Sequence, residues 1–114
     1  MNKSWQPYAH HILDAIEKIR RIQDRGNIIT DDILYDATLR NLQTLSEATQ
    51  HLSTQKQKLC PDIPWKEISG FRNILVHNYL GNIDPSTITK VINDHLLQLE
   101  NCIEYIFKQE KNKE

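Results

Sequence analysis

The chain of 114 residues is long enough for one hydrophobic core and too short for a second unit of ordinary size, so residues 1–114 are predicted to form a single domain. A composition of 39% hydrophobic and 25% charged residues excludes a disordered chain. A net charge of -1 means that the protein as a whole has no positive field that would attract a polyanion. No stretch resembles a signal peptide or the roughly 20 apolar residues of a membrane span, so we expect a cytoplasmic protein without membrane contact.

Apolar residues at three- and four-residue steps predict two amphipathic helices in the first half of the chain. The first is expected over residues 8–25 and ends at 26–27, where Gly-Asn takes left-handed backbone angles at little cost. The second is expected to begin at 30–32, because Thr-Asp-Asp supplies acceptors for unpaired amides and negative charge at a positive helix end. Its apolar stripe covers 34–52, and residues 53–58 that follow are polar.

Two further helices are predicted in the second half. Pro64 suits a first helical position because it has no amide hydrogen, so a third helix is expected from near Trp65 to the Gly-Asn pair at 81–82. The Asp-Pro pair at 84–85 is typical of the start of a fourth helix, whose apolar stripe is the clearest in the chain. The charged tail 108–114 is expected to fray.

Four amphipathic helices with short connections can bury their apolar stripes only against one another. The predicted fold is therefore all-α, an up-and-down four-helix bundle with room for an extra short helix. Cys60 and Cys102 have no zinc or redox spacing, so both are predicted to be reduced thiols, with Cys102 in the core. Trp65 is expected to be a packing anchor and His95 a core histidine with satisfied hydrogen bonds.

The residues that point to chemistry lie in the third helix, where Arg72, His77 and Tyr79 form the spacing R-x4-H-x-Y. A histidine has an ordinary pKa of about 6.5, so it can accept or donate a proton at neutral pH. An arginine presents a planar fork of donors to phosphate oxygens and can stabilise the charge of a transition state. In RNA the neighbouring 2′-hydroxyl supplies the nucleophile, so these residues can cleave a phosphodiester without a metal or cofactor.

The helical geometry complicates this interpretation. At about 100° per residue, His77 lies about 140° around an ideal helix from Arg72, whereas Tyr79 returns nearly to the face of Arg72. The reach of the arginine, a local distortion or a second subunit could bring the two side chains together. We prefer the second subunit, which predicts a homodimer with a composite site. The bare spacing is weak, since a single Arg or His on a helix is usually a surface or capping residue.

A longer stretch of sequence carries a more specific signal. Residues 61–79 read PDIPWKEISGFRNILVHNY, and residues 40–48 read RNLQTLSEA. Through these blocks the chain resembles the HepT-like toxins of the HEPN superfamily over nearly its whole length. The resemblance implies a HEPN-like helical bundle, usually dimeric, that cleaves RNA without a metal ion. Three features depart from the pattern common in that family. Ser46 and Phe71 stand where other residues are common, and the last helix lacks an early tryptophan.

By position, the resemblance implies that Arg72 and His77 are catalytic and that a minimal nucleotidyltransferase, the antitoxin, attaches AMP to Tyr79. Each AMP would bring phosphate charge and bulk to the place where the RNA phosphate binds. The leading hypothesis is therefore a toxin of a HEPN/MNT toxin-antitoxin system, in which MNT stands for the minimal nucleotidyltransferase. The toxin would be an endoribonuclease that cleaves tRNA or mRNA, and this adenylylation would neutralise it. A tyrosine in the core or an interface is the plainer interpretation of Tyr79.

Weaker candidates surround the motif. Asn73 and Asn78 flank it and could hold phosphate or the imidazole, while Arg40 and Glu47 project from one side of the second helix. An ordinary ion pair or a solvated face is the plainer interpretation of Arg40 and Glu47. Candidates for contacts with the RNA backbone, interleaved with acidic residues, lie on the first helix: Lys18, Arg21 and Arg25.

Two other classes of function stay open. A non-catalytic helical module could bind a nucleotide or dock on a nucleotidyltransferase, with Arg72 and His77 recognising phosphate. A plain dimeric adaptor is the weaker alternative. Growth arrest that is lost in folded variants of Arg72 and His77 would separate the ribonuclease from both.

Overall fold

Helices account for all the regular secondary structure among residues 4–77 and 83–112, the part of the chain that the computed structural model describes. The predicted all-α fold is confirmed, including the extra short helix. In chain order the helices are α1 (Gln6–Arg25), α2 (Asp32–Thr49), α3 (Thr54–Gln57), α4 (Trp65–His77) and α5 (Pro85–Asn112). None of these five combines the length and the apolar character that a membrane crossing requires.

Two aspartates begin α2 and α5 as their positions in the sequence predict. The Asp31 carboxylate accepts hydrogen bonds from the backbone N–H groups of Ile33 and Leu34, at 3.0 and 3.2 Å. The Asp84 carboxylate accepts from the N–H of Ser86 at 2.9 Å, and its hydrogen bonds with Ser86 lower the pKa of that carboxyl. Since the first amides of a helix have no partner within it, such acceptors fix where the helix begins.

The hydrophobic core lies where the apolar stripe of α1 packs against α2 and α5. Ile12, Ile16 and Ile19 of α1 have no exposed surface, and Ile103 and Ile106 of α5 are equally buried. The three-to-four-residue spacing that predicted these helices therefore also predicted the side that each one buries. α2 packs against both α1 and α4, so it is the element that joins the core to the helix carrying the R-x4-H-x-Y motif.

The segment after α2 and the C-terminal tail contain more helix than the sequence predicts. The Ser53 hydroxyl accepts from the N–H of Lys56 at 3.2 Å and begins α3 within the polar segment. α5 continues to Asn112, so the expectation that the tail frays is wrong for residues 108–112. The Lys56 ammonium pairs with the Glu110 carboxylate and ties α3 to the last turns of α5. A contact between segments so far apart in sequence leaves no local pattern.

Cys60 and Cys102 form a disulfide with their Cα atoms 6.0 Å apart, so the prediction of reduced thiols is wrong. The predicted burial of Cys102 is confirmed, because only 5% of it is exposed. The two cysteines are 42 positions apart in the chain and meet because the segment before α4 packs against α5. Spacing along the sequence contains no sign of that contact.

The ion pair between α1 and α5 predicts a small, pH-dependent contribution to stability. An Arg20 guanidinium nitrogen lies 2.7 Å from a Glu100 carboxylate oxygen, and this hydrogen bond lowers the pKa of Glu100. A lowered carboxyl pKa stabilises the fold above the pKa of an unfolded glutamate, about 4.3, and that stability is lost as the pH falls through the folded value. Because the Arg20 side chain is 41% exposed, we expect only about 0.5 kcal/mol.

Urea unfolding of the wild type and of Glu100→Gln measures this contribution. The free energies of unfolding should differ by about 0.5 kcal/mol at neutral pH and converge as the pH falls below the ordinary glutamate range. Glu17→Gln, at an exposed position of α1, is the matched control and should track the wild type. A difference that stays constant with pH would contradict the assignment.

Candidate active site

Three of the predicted site residues lie in α4: Arg72, Asn73 and His77. Two others, Asn78 and Tyr79, lie outside the described residues. The predicted helix end at 81–82 lies outside them as well. α4 is α-helical without interruption, so the backbone positions of Arg72 and His77 are about 140° apart around the axis and about 7.5 Å apart along it. Side-chain reach and a second subunit remain the two ways to bring both groups to one phosphate.

The first half of α4 is fixed by hydrogen bonds to the segments that precede it. Trp65 is 9% exposed, which confirms the predicted packing anchor, and its indole N–H donates to the carbonyls of Gln57 and Cys60 at 3.0 Å each. One turn later, the Gln50 side chain donates to the Ser69 carbonyl at 3.1 Å. These bonds hold the first half of α4 against α3, the segment after α3 and the end of α2, on the N-terminal side of the motif.

The chain that follows the motif is also attached to α2. The Tyr35 hydroxyl donates to the backbone carbonyl of Ile83, the first described residue after 78–82. Burial raises the pKa of Tyr35 most, and the nearby carboxylates of Asp36 and Asp84 raise it further. The hydroxyl therefore stays protonated and able to donate. α2 thus holds the chain on both sides of the segment that contains Tyr79.

The supporting candidates on α2 and α1 lie in different parts of the bundle. Arg40 is exposed and Glu47 half-buried on α2, the helix that packs against α4. The candidates for contact with the RNA backbone are exposed on α1, which packs against α2 and α5: Lys18, Arg21 and Arg25. Within the described ranges no group of three or more His, Cys, Asp or Glu side chains could hold a metal ion.

A cavity of about 180 Å³ lies between α2, α4 and α5, and sequence reasoning missed it. Ser46 of α2 and His95 of α5 are among its lining residues, and the Ser46 hydroxyl and Nδ1 of His95 are buried without a hydrogen-bond partner in the described part of the chain. The prediction that His95 has satisfied hydrogen bonds is therefore wrong for this nitrogen. The prediction of a core histidine is also wrong for the residue as a whole, because His95 is half-buried at the edge of the apolar stripe of α5 and only Nδ1 is buried.

Comparison with known proteins identifies relatives of the whole chain. The family model described as ribonuclease HepT-like matches residues 12–106. A protein of Caldanaerobacter subterraneus that is provisionally named an RNase is 31% identical over 113 residues, covering 96% of this chain and 99% of its own. A second, from Methanocaldococcus jannaschii, also provisionally named an RNase, is 30% identical over 93 residues, covering 82% of this chain and 84% of its own.

A third relative, from Thermococcus cleftensis, is named a probable ribonuclease HepT. It is 29% identical over 113 residues, covering 95% of this chain and 100% of its own. No solved structure matches the chain. The similarity therefore comes from sequence, and it covers between 84% and 100% of the length of these relatives.

Proposed function

Because this chain belongs to the HepT-like ribonuclease family, we propose that it is a metal-independent endoribonuclease whose site contains Arg72 and His77. The observation that carries the proposal is the placement of both residues in one continuous helix, α4, which α2 holds in position. A charged fork of donors and a group that titrates near neutral pH are the two functions that phosphodiester cleavage in RNA requires.

The chemistry follows from what these side chains can do. A neutral imidazole removes the proton of the 2′-hydroxyl, and the 2′-oxygen attacks the adjacent phosphorus. The bond from phosphorus to the 5′-oxygen breaks, and that oxygen takes up a proton as it leaves. The products are a 2′,3′-cyclic phosphate and a 5′-hydroxyl. Arg72 stabilises the negative charge that builds up on the non-bridging oxygens during the attack.

A homodimer would resolve the angular separation between Arg72 and His77. Across a two-fold axis, two copies of α4 bring each arginine near the partner helix, and two His77 side chains could serve as the base and the acid. The wide angle between the two positions on one uninterrupted helix supports this arrangement. The composite site is therefore part of the proposal.

In the cell, we expect this activity to act as a toxin on tRNA or mRNA in the cytoplasm. A partner nucleotidyltransferase would silence it by attaching AMP to Tyr79. The tyrosine oxygen attacks the α-phosphorus of ATP, and pyrophosphate leaves. Since Tyr79 is two residues beyond His77, each attached phosphate would compete with the RNA phosphate for Arg72.

Expression in a bacterial host tests both the activity and its silencing. The wild type should arrest growth, and a co-expressed nucleotidyltransferase should relieve the arrest while raising the intact mass of the chain by one or more AMP units. Tyr79→Phe should gain no mass. Tyr105→Phe removes an exposed tyrosine of α5 and is the matched control, which should be modified like the wild type. Modification that persists in Tyr79→Phe would contradict the assigned position.

A further inference from the structure

We propose that the cavity between α2, α4 and α5 binds one nucleobase of the RNA substrate, an inference that rests on the proposed ribonuclease activity. The cavity holds about 180 Å³, is partly open, and has mostly apolar walls. A cavity of about 150 Å³ with such walls is enough to bind benzene. One planar ring system is therefore an occupant of suitable size.

Two buried polar atoms argue that the occupant is not purely apolar. Ser46 is 1% exposed, and neither its hydroxyl nor Nδ1 of His95 has a partner among the described residues. A buried polar group gains stability from a hydrogen bond, so an occupant that supplies a donor or an acceptor to these two groups is favoured over a purely apolar one. A hydroxyl and an imidazole nitrogen can each donate or accept, which suits the mixed donors and acceptors at the edge of a base.

The position of the cavity connects it to the candidate site. Glu67, Ile68 and Phe71 of α4 line it, and Phe71 directly precedes Arg72 in the chain. A base that enters beside Phe71 would thus belong to a nucleotide close to the phosphate held at α4. An aromatic wall with polar groups at its edges is the usual environment of a base that has left the RNA stack.

Other occupants match the cavity less well. An apolar side chain from a second copy would fill the volume but leave Ser46 and His95 without partners. The described lining residues include Glu67 and no lysine or arginine, so they offer a phosphate group a carboxylate in place of a cation. A nucleobase is uncharged, apolar on its faces and polar at its edge, so it satisfies both requirements.

Oligonucleotides that bind but cannot be cut provide the test. A 2′-O-methyl RNA lacks the nucleophile, so NMR can follow His95 and Phe71 of the isotope-labelled protein during a titration without cleavage. We expect both residues to shift, and we expect an abasic nucleotide at one position of the oligonucleotide to abolish these two shifts. Shifts that are unchanged by the abasic site, or that depend only on protein concentration, would overturn the proposal.

Variants give an independent readout. Ser46→Ala and His95→Leu should each weaken the preference for the base-containing oligonucleotide over the abasic one by about tenfold. His11→Leu, at an exposed histidine of α1 away from the cavity, is the matched control and should keep the wild-type preference. A wild-type preference in Ser46→Ala and His95→Leu, as in the control, would overturn the proposal.

Parallel cleavage of ordinary RNA distinguishes this inference from the proposed function. If RNA is cut but the abasic site changes nothing, the nucleobase site is wrong and the ribonuclease stands. If no RNA is cut while His95 and Phe71 still shift with the base, the ribonuclease is wrong and the chain binds nucleic acid without cleaving it.

Discussion

Replacing His77 by alanine should lower the rate of RNA cleavage by at least about 10²- to 10⁴-fold, the range that one general base or acid contributes, because the proposed dimer would lose both. The reason is that the 2′-hydroxyl is a poor nucleophile until a base removes its proton. In the wild type, the dependence of kcat/KM on pH should contain a titration that His77→Ala loses, because the base must be unprotonated to act.

Arg72→Ala should lose about 10²- to 10³-fold, because the charge on the phosphate oxygens then develops without its donor. Arg72→Lys keeps the charge but loses the planar fork, so its activity should lie between the alanine variant and the wild type. His11→Ala, an exposed histidine of α1, is the control and should cleave like the wild type. A folded His77→Ala with full activity would remove this residue from the mechanism.

Loss of the disulfide should be the largest effect on stability, about 4 kcal/mol in the free energy of unfolding. A link between residues 42 positions apart restricts the unfolded chain strongly, and the chain-entropy relation gives that value. The bond also joins the segment before α4 to α5, so its loss should loosen the attachment of the catalytic helix. Urea unfolding with and without a thiol reductant measures the difference.

The variant Cys60→Ala/Cys102→Ala provides the control for this measurement. Its urea midpoint should match that of the reduced wild type and should not respond to reductant. If reductant leaves the midpoint of the wild type unchanged, the two cysteines are not joined in solution. A disulfide that is present in solution would count against the proposed cytoplasmic location, because glutathione and thioredoxin keep most thiols of cytoplasmic proteins reduced.

The features that sequence predicted well are those fixed by neighbouring residues. Asp31 and Asp84 begin α2 and α5 because their carboxylates reach amides two or three positions ahead. The isoleucines of α1 are buried as their spacing indicates, since three- and four-residue steps fall on one side of a helix. The helical placement of Arg72 and His77 follows from the same local rules.

The features that sequence missed arise from contacts between distant segments. Cys60 meets Cys102, and Lys56 meets Glu110, only because α5 returns along the bundle past α3 and the segment before α4. The cavity is likewise formed by three helices, so neither Ser46 nor His95 could be recognised from its own surroundings in the chain. A composite site between two copies would be a further contact of this kind.

The end groups of RNA cut by the purified, unmodified chain in excess EDTA test the central claim most directly. We predict cleavage that continues with the chelator present, leaves 2′,3′-cyclic phosphate and 5′-hydroxyl ends, and stops when the nucleotide at the cut carries a 2′-deoxy sugar. Cleavage that requires an added metal ion, or that continues at the 2′-deoxy position, would contradict a site in which Arg72 and His77 direct the attack of the 2′-oxygen.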